Sequence, residues 1–351
     1  MSLTVEREHW GRLSSGEAVD LYTLRDRGGL MAQVTSFGAT LASLRVPDRR
    51  GSPIDVVLGF DELSAYERND HYLGSTVGRY ANRIRGGRLQ LDAKRVQLTV
   101  NDGPNHLHGG SNGFSHRPWQ AEAIREAGRV GVILRLRSAD GDEGYPGNLD
   151  VEVSYWVEEG GRLAIAYRAR TDAPTHINLT NHSYFNLRGS GDILDHRLQL
   201  QARRYTPIDA TGIPTGALAE VAGTPMDFTA AKAIGRDIDD AFEQLRLAGG
   251  YDHNYVIDGW DGSLREFGRL EDPVSGRVMR VATTCPGVQL YSGNLLAGTP
   301  ARGGGTYRAR EGLCLETQFF PDTPNQTGFP PTRLAPGDVW RQETTFAFTA
   351  G

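Results

Sequence analysis

The chain has 351 residues, a formal net charge of −5 and 38% hydrophobic residues, with a negative mean hydropathy. This is the composition of a soluble globular protein with enough apolar residues for a substantial core. Acids and bases are interspersed without a basic stripe, and no apolar run approaches the roughly twenty residues that cross a bilayer, so nucleic acid and membrane are excluded as expected partners.

Period-two alternation dominates the chain. Residues 96–100, 132–137, 149–156 and 163–168 read as strands with one buried face. Glu158-Glu-Gly-Gly-Arg162 between two of these patterns predicts a hairpin. Residues 198–201 follow as a strand. Residues 230–247 predict a helix, with Ile234, Ile238, Phe242 and Leu245 at helical spacing. Residues 255–257, 278–281 and 340–348 are again strand-like. The Pro-rich segment 320–338 is read as a long structured loop. Turn signals such as Gly28-Gly29, Asp140-Gly141 and Asp261-Gly262 separate these elements. Alternating strand–helix units and repeats of fixed period are both missing, which argues against a parallel α/β sheet and against a repeat array. Length alone would suggest about two domains, but large β-sandwiches run well past two hundred residues as one. With no low-complexity linker, the expectation is one large antiparallel β-sandwich over residues 1–351, with one or two short helices.

Lys94 and Lys232 are the only lysines, a bias that genomic base composition explains. Cys285 and Cys314 lie in apolar surroundings and are expected as buried thiols, not a disulfide. The N-terminal residues 1–8 carry neither an apolar core nor a cleavage site, which predicts a cytoplasmic protein.

The polar residues that stand out are scattered. Asn82 and Arg83 sit between glycines in the stretch 78–87, where a backbone can turn sharply and present side chains. Arg83 offers fixed donors to hydroxyl oxygens, and a surface arginine in a turn is the plain alternative. His106 and His108 would share a face on a strand, which invites a metal. With no third ligand of matching pattern nearby, no metal is expected and His108 is read as a solvated or hydrogen-bonded imidazole. His182, in Thr180-Asn-His-Ser-Tyr-Phe-Asn-Leu187, can give or take a proton at neutral pH, although a lone histidine also fits a satisfied core position. Asp252 can accept from sugar hydroxyls or cap a turn. Gln289 shares a strand face with Tyr291. Glu316 ends the apolar run Leu313-Cys-Leu315, where a carboxylate needs a partner or a task.

Together these side chains suit a polyhydroxylated ligand, with an aromatic ring such as Phe185 or Tyr291 for its apolar face. A phosphate-binding glycine loop, a nucleophile elbow and a Cys–His pair are all missing, so no cofactor is expected. Two rival classes fit the same inventory: a glycoside hydrolase using Asp252 and Glu316, and a non-catalytic carbohydrate-binding sandwich.

Six stretches carry a family resemblance. They are Gly78-Arg-Tyr-Ala-Asn-Arg-Ile, Asn105-His-Leu-His-Gly-Gly, Asn178-Leu-Thr-Asn-His-Ser-Tyr-Phe-Asn-Leu, Tyr251-Asp-His-Asn, Pro286-Gly-Val-Gln-Leu-Tyr-Ser-Gly-Asn and Leu315-Glu-Thr-Gln. In this order they resemble the aldose 1-epimerase, or galactose mutarotase, family. The resemblance implies a supersandwich fold and interconversion of the anomers of free aldoses. It also implies Glu316 as general base and His182 as general acid, with Asn82, Arg83, His108, Asp252 and Gln289 at sugar-binding positions. A monosaccharide is the implied partner, bound by a monomer or a homodimer.

Overall fold

The computed structural model describes residues 3–350, and its regular elements are almost wholly antiparallel strands. Nine strands form the largest sheet, in the order Gln120–Glu126, Arg129–Ser138, Leu149–Glu158, Arg162–Thr171, Trp340–Ala350, Arg277–Thr283, Arg265–Glu271, Arg197–Leu200 and Lys232–Ala233. A six-stranded sheet runs Tyr184–Phe185, Leu313–Gln318, Gly287–Tyr291, Asp252–Val256, Arg204–Tyr205 and Ala219–Glu220. A five-stranded meander occupies residues 4–55. The all-β expectation stands, and the strands at 132–137, 149–156, 163–168, 278–281 and 340–348 fall inside observed ones. The hairpin also stands, with Glu158 opposite Arg162.

One cluster of buried side chains joins the sheets. Leu163, Ile165, Tyr167, Phe346 and Phe348 contribute from the nine-stranded sheet, and Phe185, Val288, Leu290, Leu313 and Leu315 from the six-stranded one. Alternation therefore points Leu313 and Leu315 at the core and sends Cys314, Glu316 and Gln318 to the opposite face. Thr317 Oγ1 meets Thr344 Oγ1 at 2.5 Å, and Gln342 Nε2 donates to the Thr317 carbonyl at 3.0 Å, stitching the two sheets together beneath Glu316. Loops cover the opposite face, so Leu313–Gln318 is buried on both sides.

Several expectations need correction. The helix over 230–247 shrinks to Glu243–Ala248, preceded by the strand Lys232–Ala233 and a 3₁₀ turn at Ile234–Arg236. Ile234, Ile238 and Leu245 are buried as the periodicity implied. Lys232, however, donates to Asp237 at 2.7 Å and to the Pro225 carbonyl at 2.6 Å, and these bonds hold the segment in an open wrap. Residues 96–100 form only the end of a short hairpin, Lys94–Gln97 against Arg88–Leu91, and Val100 is exposed. The strand expected at 255–257 begins earlier, at Asp252. The Pro-rich loop is ordered as expected, with a 3₁₀ turn at Thr323–Asn325 and the strand Arg333–Leu334 paired to Thr175–His176. Among the described residues no helix is long and apolar enough to cross a membrane.

Candidate active site

Three neighbouring strands set out the floor of the site. Asn254 lies opposite Gln289, which lies opposite Glu316, and one row along Asp252 lies opposite Tyr291 and Tyr291 opposite Cys314. Residues in register, and residues two apart, share a sheet face. The carboxylates, amides and tyrosine therefore converge on the face turned away from the core. Gln289 Nε2 donates to Asp252 Oδ1 at 2.7 Å and fixes that pair.

Loops supply the opposite wall. His182 lies between the short strands Thr180–Asn181 and Tyr184–Phe185, and its backbone N–H donates to the Ser75 carbonyl at 2.9 Å. Its imidazole is clamped at both nitrogens from the strand Leu313–Gln318: Nε2 is 3.6 Å from Glu316 Oε1, and Nδ1 is 3.5 Å from Cys314 Sγ. Asn82 and His108 both adopt left-handed backbone, with φ of 65° and 52°. Two non-glycine residues in that region carry strain that the surroundings must offset, a pattern found at functional sites. Their conformations bring the Asn82 N–H to His108 Nδ1 at 3.2 Å. Arg83 donates through Nε to Asp102 at 2.8 Å, and its Nη1 lies 3.9 Å from Asp252. It is a half-buried, doubly paired group and not a surface arginine.

The seven residues singled out from the sequence fall into one locality. His108, His182 and Glu316 have ligating atoms within 4.8 Å of one another. Gln289 bonds Asp252, Asp252 faces Arg83, and Asn82 bonds His108. Other readings change. His106 and His108 do not share a strand face, because His108 has already turned left-handed. His106 is a structural residue, bonded to the Thr99 carbonyl and to Tyr145 Oη, both at 2.7 Å. Phe185 belongs to the core against Phe346 and cannot face a ligand. The aromatic wall is made by Tyr72, whose ring lies 4.6 Å from that of His108 and 5.8 Å from that of His182, with Tyr184 and Tyr291 behind. Tyr72 was not among the sequence candidates. The neighbouring Asn69-Asp-His-Tyr72 has no periodicity, and only its left-handed turn, φ 57°, presents the ring.

Burial governs the charges. It raises the Glu316 carboxyl well above the usual range, Asp252 adds to the rise, and Arg83 opposes it. Burial also raises Asp252, against the pull of Arg83 and Gln289. It pushes His182 down to about 4, and pushes His108 well below the usual imidazole value with help from His182 and Arg83. With no ligand bound, desolvation disfavours the charged form of both groups, the Glu316 carboxylate and the His182 imidazolium.

The fold is an all-β supersandwich in which an imidazole and a carboxyl face each other among polar side chains, beside the rings of Tyr72, Tyr184 and Tyr291. The aldose 1-epimerase family model matches residues 20–347. The galactose mutarotase of Rattus norvegicus is 42% identical over 99% of both chains, and the aldose 1-epimerase of Escherichia coli K12 is 39% identical over 95% of this chain and 96% of its own. The galactose 1-epimerase of Lactobacillus acidophilus, a solved structure, superposes with a TM-score of 0.89 at 30% identity over the whole of both chains. A GalM/aldose epimerase homologue from C. elegans gives 0.87 at 36% identity over 95% and 99%. The chain belongs to the aldose 1-epimerase family, and is an isomerase of that type.

Proposed function

We propose that this enzyme interconverts the α and β anomers of free aldoses such as galactose and glucose, with Glu316 taking the O1 proton and His182 protonating the ring oxygen. Asn82, Arg83, His108, Asp252 and Gln289 grip the remaining hydroxyls. The observation that carries this reading is the 3.6 Å approach of His182 Nε2 to Glu316 Oε1 inside a closed polar site. The two groups share one proton. Moving it from carboxyl to imidazole leaves the total unchanged and creates the working base and acid. A bound sugar favours that transfer, because its O1 hydroxyl donates to the carboxylate and its ring oxygen accepts from the imidazolium. The C1–ring-oxygen bond then breaks to the open aldehyde, rotation about C1–C2 exposes the other carbonyl face, and the transfers run backwards. Each positioned acid or base contributes about 10²–10⁴-fold.

The sequence offered no third ligand beside the paired histidines, whereas the fold brings His182 and Glu316 to His108. The donor orientation nevertheless favours sugar over metal. His108 Nδ1 accepts the Asn82 N–H, so the neutral ring carries its proton on Nε2 and presents a donor there, not a lone pair. The same reading takes the chain as one cytoplasmic domain, monomeric or homodimeric. A core cluster running from Val5 to Phe348 supports the single domain.

Polarimetry of freshly dissolved α-D-glucose, α-D-galactose and a pentose panel tests the proposal. Acceleration of the optical change is expected, with no nitrophenol released from a nitrophenyl glycoside. Release from the locked glycoside, or sugar binding without acceleration, would favour the hydrolase or the binding module.

A further inference from the structure

The six-stranded sheet holds a concentration of buried polar atoms that no group of the described residues satisfies. Glu316 Oε2, Gln289 Oε1, both polar atoms of Asn254 and both polar atoms of Gln318 have no hydrogen-bond partner among the described residues. Gln318 is 0% exposed, Asn254 1% and Glu316 2%. Buried polar groups are nearly always satisfied, and each orphan costs on the order of 1–3 kcal/mol. Six such atoms on one patch of one sheet face indicate a network that forms as the enzyme works.

Register and donor chemistry decide the pairing. Gln318 lies two residues beyond Glu316 on the same strand face, and opposite Gly287 on the next strand. Glu316 Oε1 faces His182, while Oε2 needs a donor. The cross-strand neighbour Gln289 cannot supply one. Its Nε2 is spent on Asp252 at 2.7 Å, and its free atom is an acceptor. The unspent amide donors are Gln318 Nε2 and Asn254 Nδ2. Asn254 is the register partner of Gln289, whose Oε1 is also unsatisfied. Gly287 leaves the room that the Asn254 amide occupies. A Cβ added there would sit 2.5 Å from Asn254 Oδ1 and 2.9 Å from the Phe320 ring, although the backbone itself does not require glycine.

We infer that Gln318 is a positioning residue for Glu316, its amide N–H holding the rear oxygen Oε2, while Asn254 holds Gln289 Oε1 and thereby Asp252. The inference rests on the acid/base reading above. In this arrangement one amide steadies the general base from behind and the other keys the sugar-gripping pair. The donor bond to Oε2 selectively stabilises the charged carboxylate, which the free site disfavours.

Gln318→Met keeps the shape and removes the donor. The expected result is a fall in kcat of about 10–100-fold with KM within about threefold, because the lost interaction acts on the charged base and not on the sugar. Carbon-13 NMR of glutamate-labelled protein, with the Glu316 signal assigned by its loss in Glu316→Gln, should show the Glu316 midpoint rising by about one pH unit in Gln318→Met with sugar bound. Should Gln318→Met fail to fold, Gln318→Leu provides the second route, since it too removes the donor. Gly287→Ala tests the Asn254 half: it retains every polar group, displaces the Asn254 amide and is expected to raise KM more than it lowers kcat. A folded Gln318 variant with unchanged kcat and an unchanged Glu316 midpoint overturns the inference for Gln318, and an unchanged KM in Gly287→Ala overturns it for Asn254. If Glu316→Gln itself keeps wild-type turnover, the acid/base reading falls, and the NMR midpoint still decides whether Gln318 holds the carboxylate.

Discussion

The two faces that look away from the shared core differ sharply. On the nine-stranded sheet, Arg135 pairs with Glu152 and Glu122 and Arg137 with Asp150, side by side toward solvent, and Arg162 pairs with the half-buried Glu158. These strands run seven to eleven residues and pair along nearly their whole length from Gln120–Glu126 to Trp340–Ala350. On the six-stranded sheet the strands are two to six residues long, loops cover the outward face of Leu313–Gln318, and the charged groups around its centre are the half-buried Asp252 and the buried, incompletely paired Glu316. Long ladders with solvated charges hold the molecule together. Short strands with desolvated charges are where binding a polar ligand can still release free energy.

Substitutions on each face can break that comparison. Glu316→Gln keeps the shape and removes the base, so kcat is expected to fall by about 10³-fold or more with an unchanged circular dichroism spectrum. His182→Asn should cost about 10²–10⁴-fold in polarimetric rate. Near wild-type turnover in either variant would return the pair to a structural role. Asp252→Asn removes an acceptor from the grip, and Arg83 keeps its bond to Asp102. A rise in KM of about tenfold, larger than the change in kcat, is expected from progress curves.

The rate should follow a bell in pH, with its limbs set by burial. His182 is pushed down to about 4, so adding a second proton to the pair, which stops catalysis, needs acid near that value. Glu316 is raised, so the pair loses its shared proton only well above the usual carboxylate range. In the free enzyme the acid limb of kcat/KM therefore belongs to the imidazole and the alkaline limb to the carboxyl, the reverse of their order in water. An alkaline limb that persists unchanged in Glu316→Gln would contradict this assignment.

On the core side, Ile165→Ala should lower stability by about 2–5 kcal/mol in urea unfolding while the folded protein keeps its kcat. The smallest effect is expected from Arg137→Ala. Its 3.0 Å pair with Asp150 joins side chains that are 62% and 64% exposed, so both rate and unfolding midpoint should stay close to wild type.

The same contrast explains what was legible in the sequence. Residues 149–156 and 163–168 alternate because one face is solvated, so period two shows plainly. The run Leu313-Cys-Leu-Glu-Thr-Gln318 is buried on both faces, and there only the misplaced charge of Glu316 marks the site. Remote motif blocks delivered His182, His108 and Asp252, but not which nitrogen faces which group, since that depends on Cys314 and the left-handed turn at Asn82. Tyr72 stayed hidden because no periodicity surrounds it. The helix at 230–247 was overextended because the apolar spacing was real while the Lys232–Asp237 bond that opens the backbone has no sequence signature. Asn254 and Gln318 read as ordinary polar residues until the covering loops make their burial apparent.

Trp340–Ala350 lies in the middle of the nine-stranded sheet, between Arg162–Thr171 and Arg277–Thr283. The hydrogen-bond ladder therefore stays split into two halves with raw edges until that strand is in place, and a nascent protein that still lacks it must be kept from aggregating. A polypeptide stopped after Gly337 is expected to pellet on centrifugation where the full chain does not.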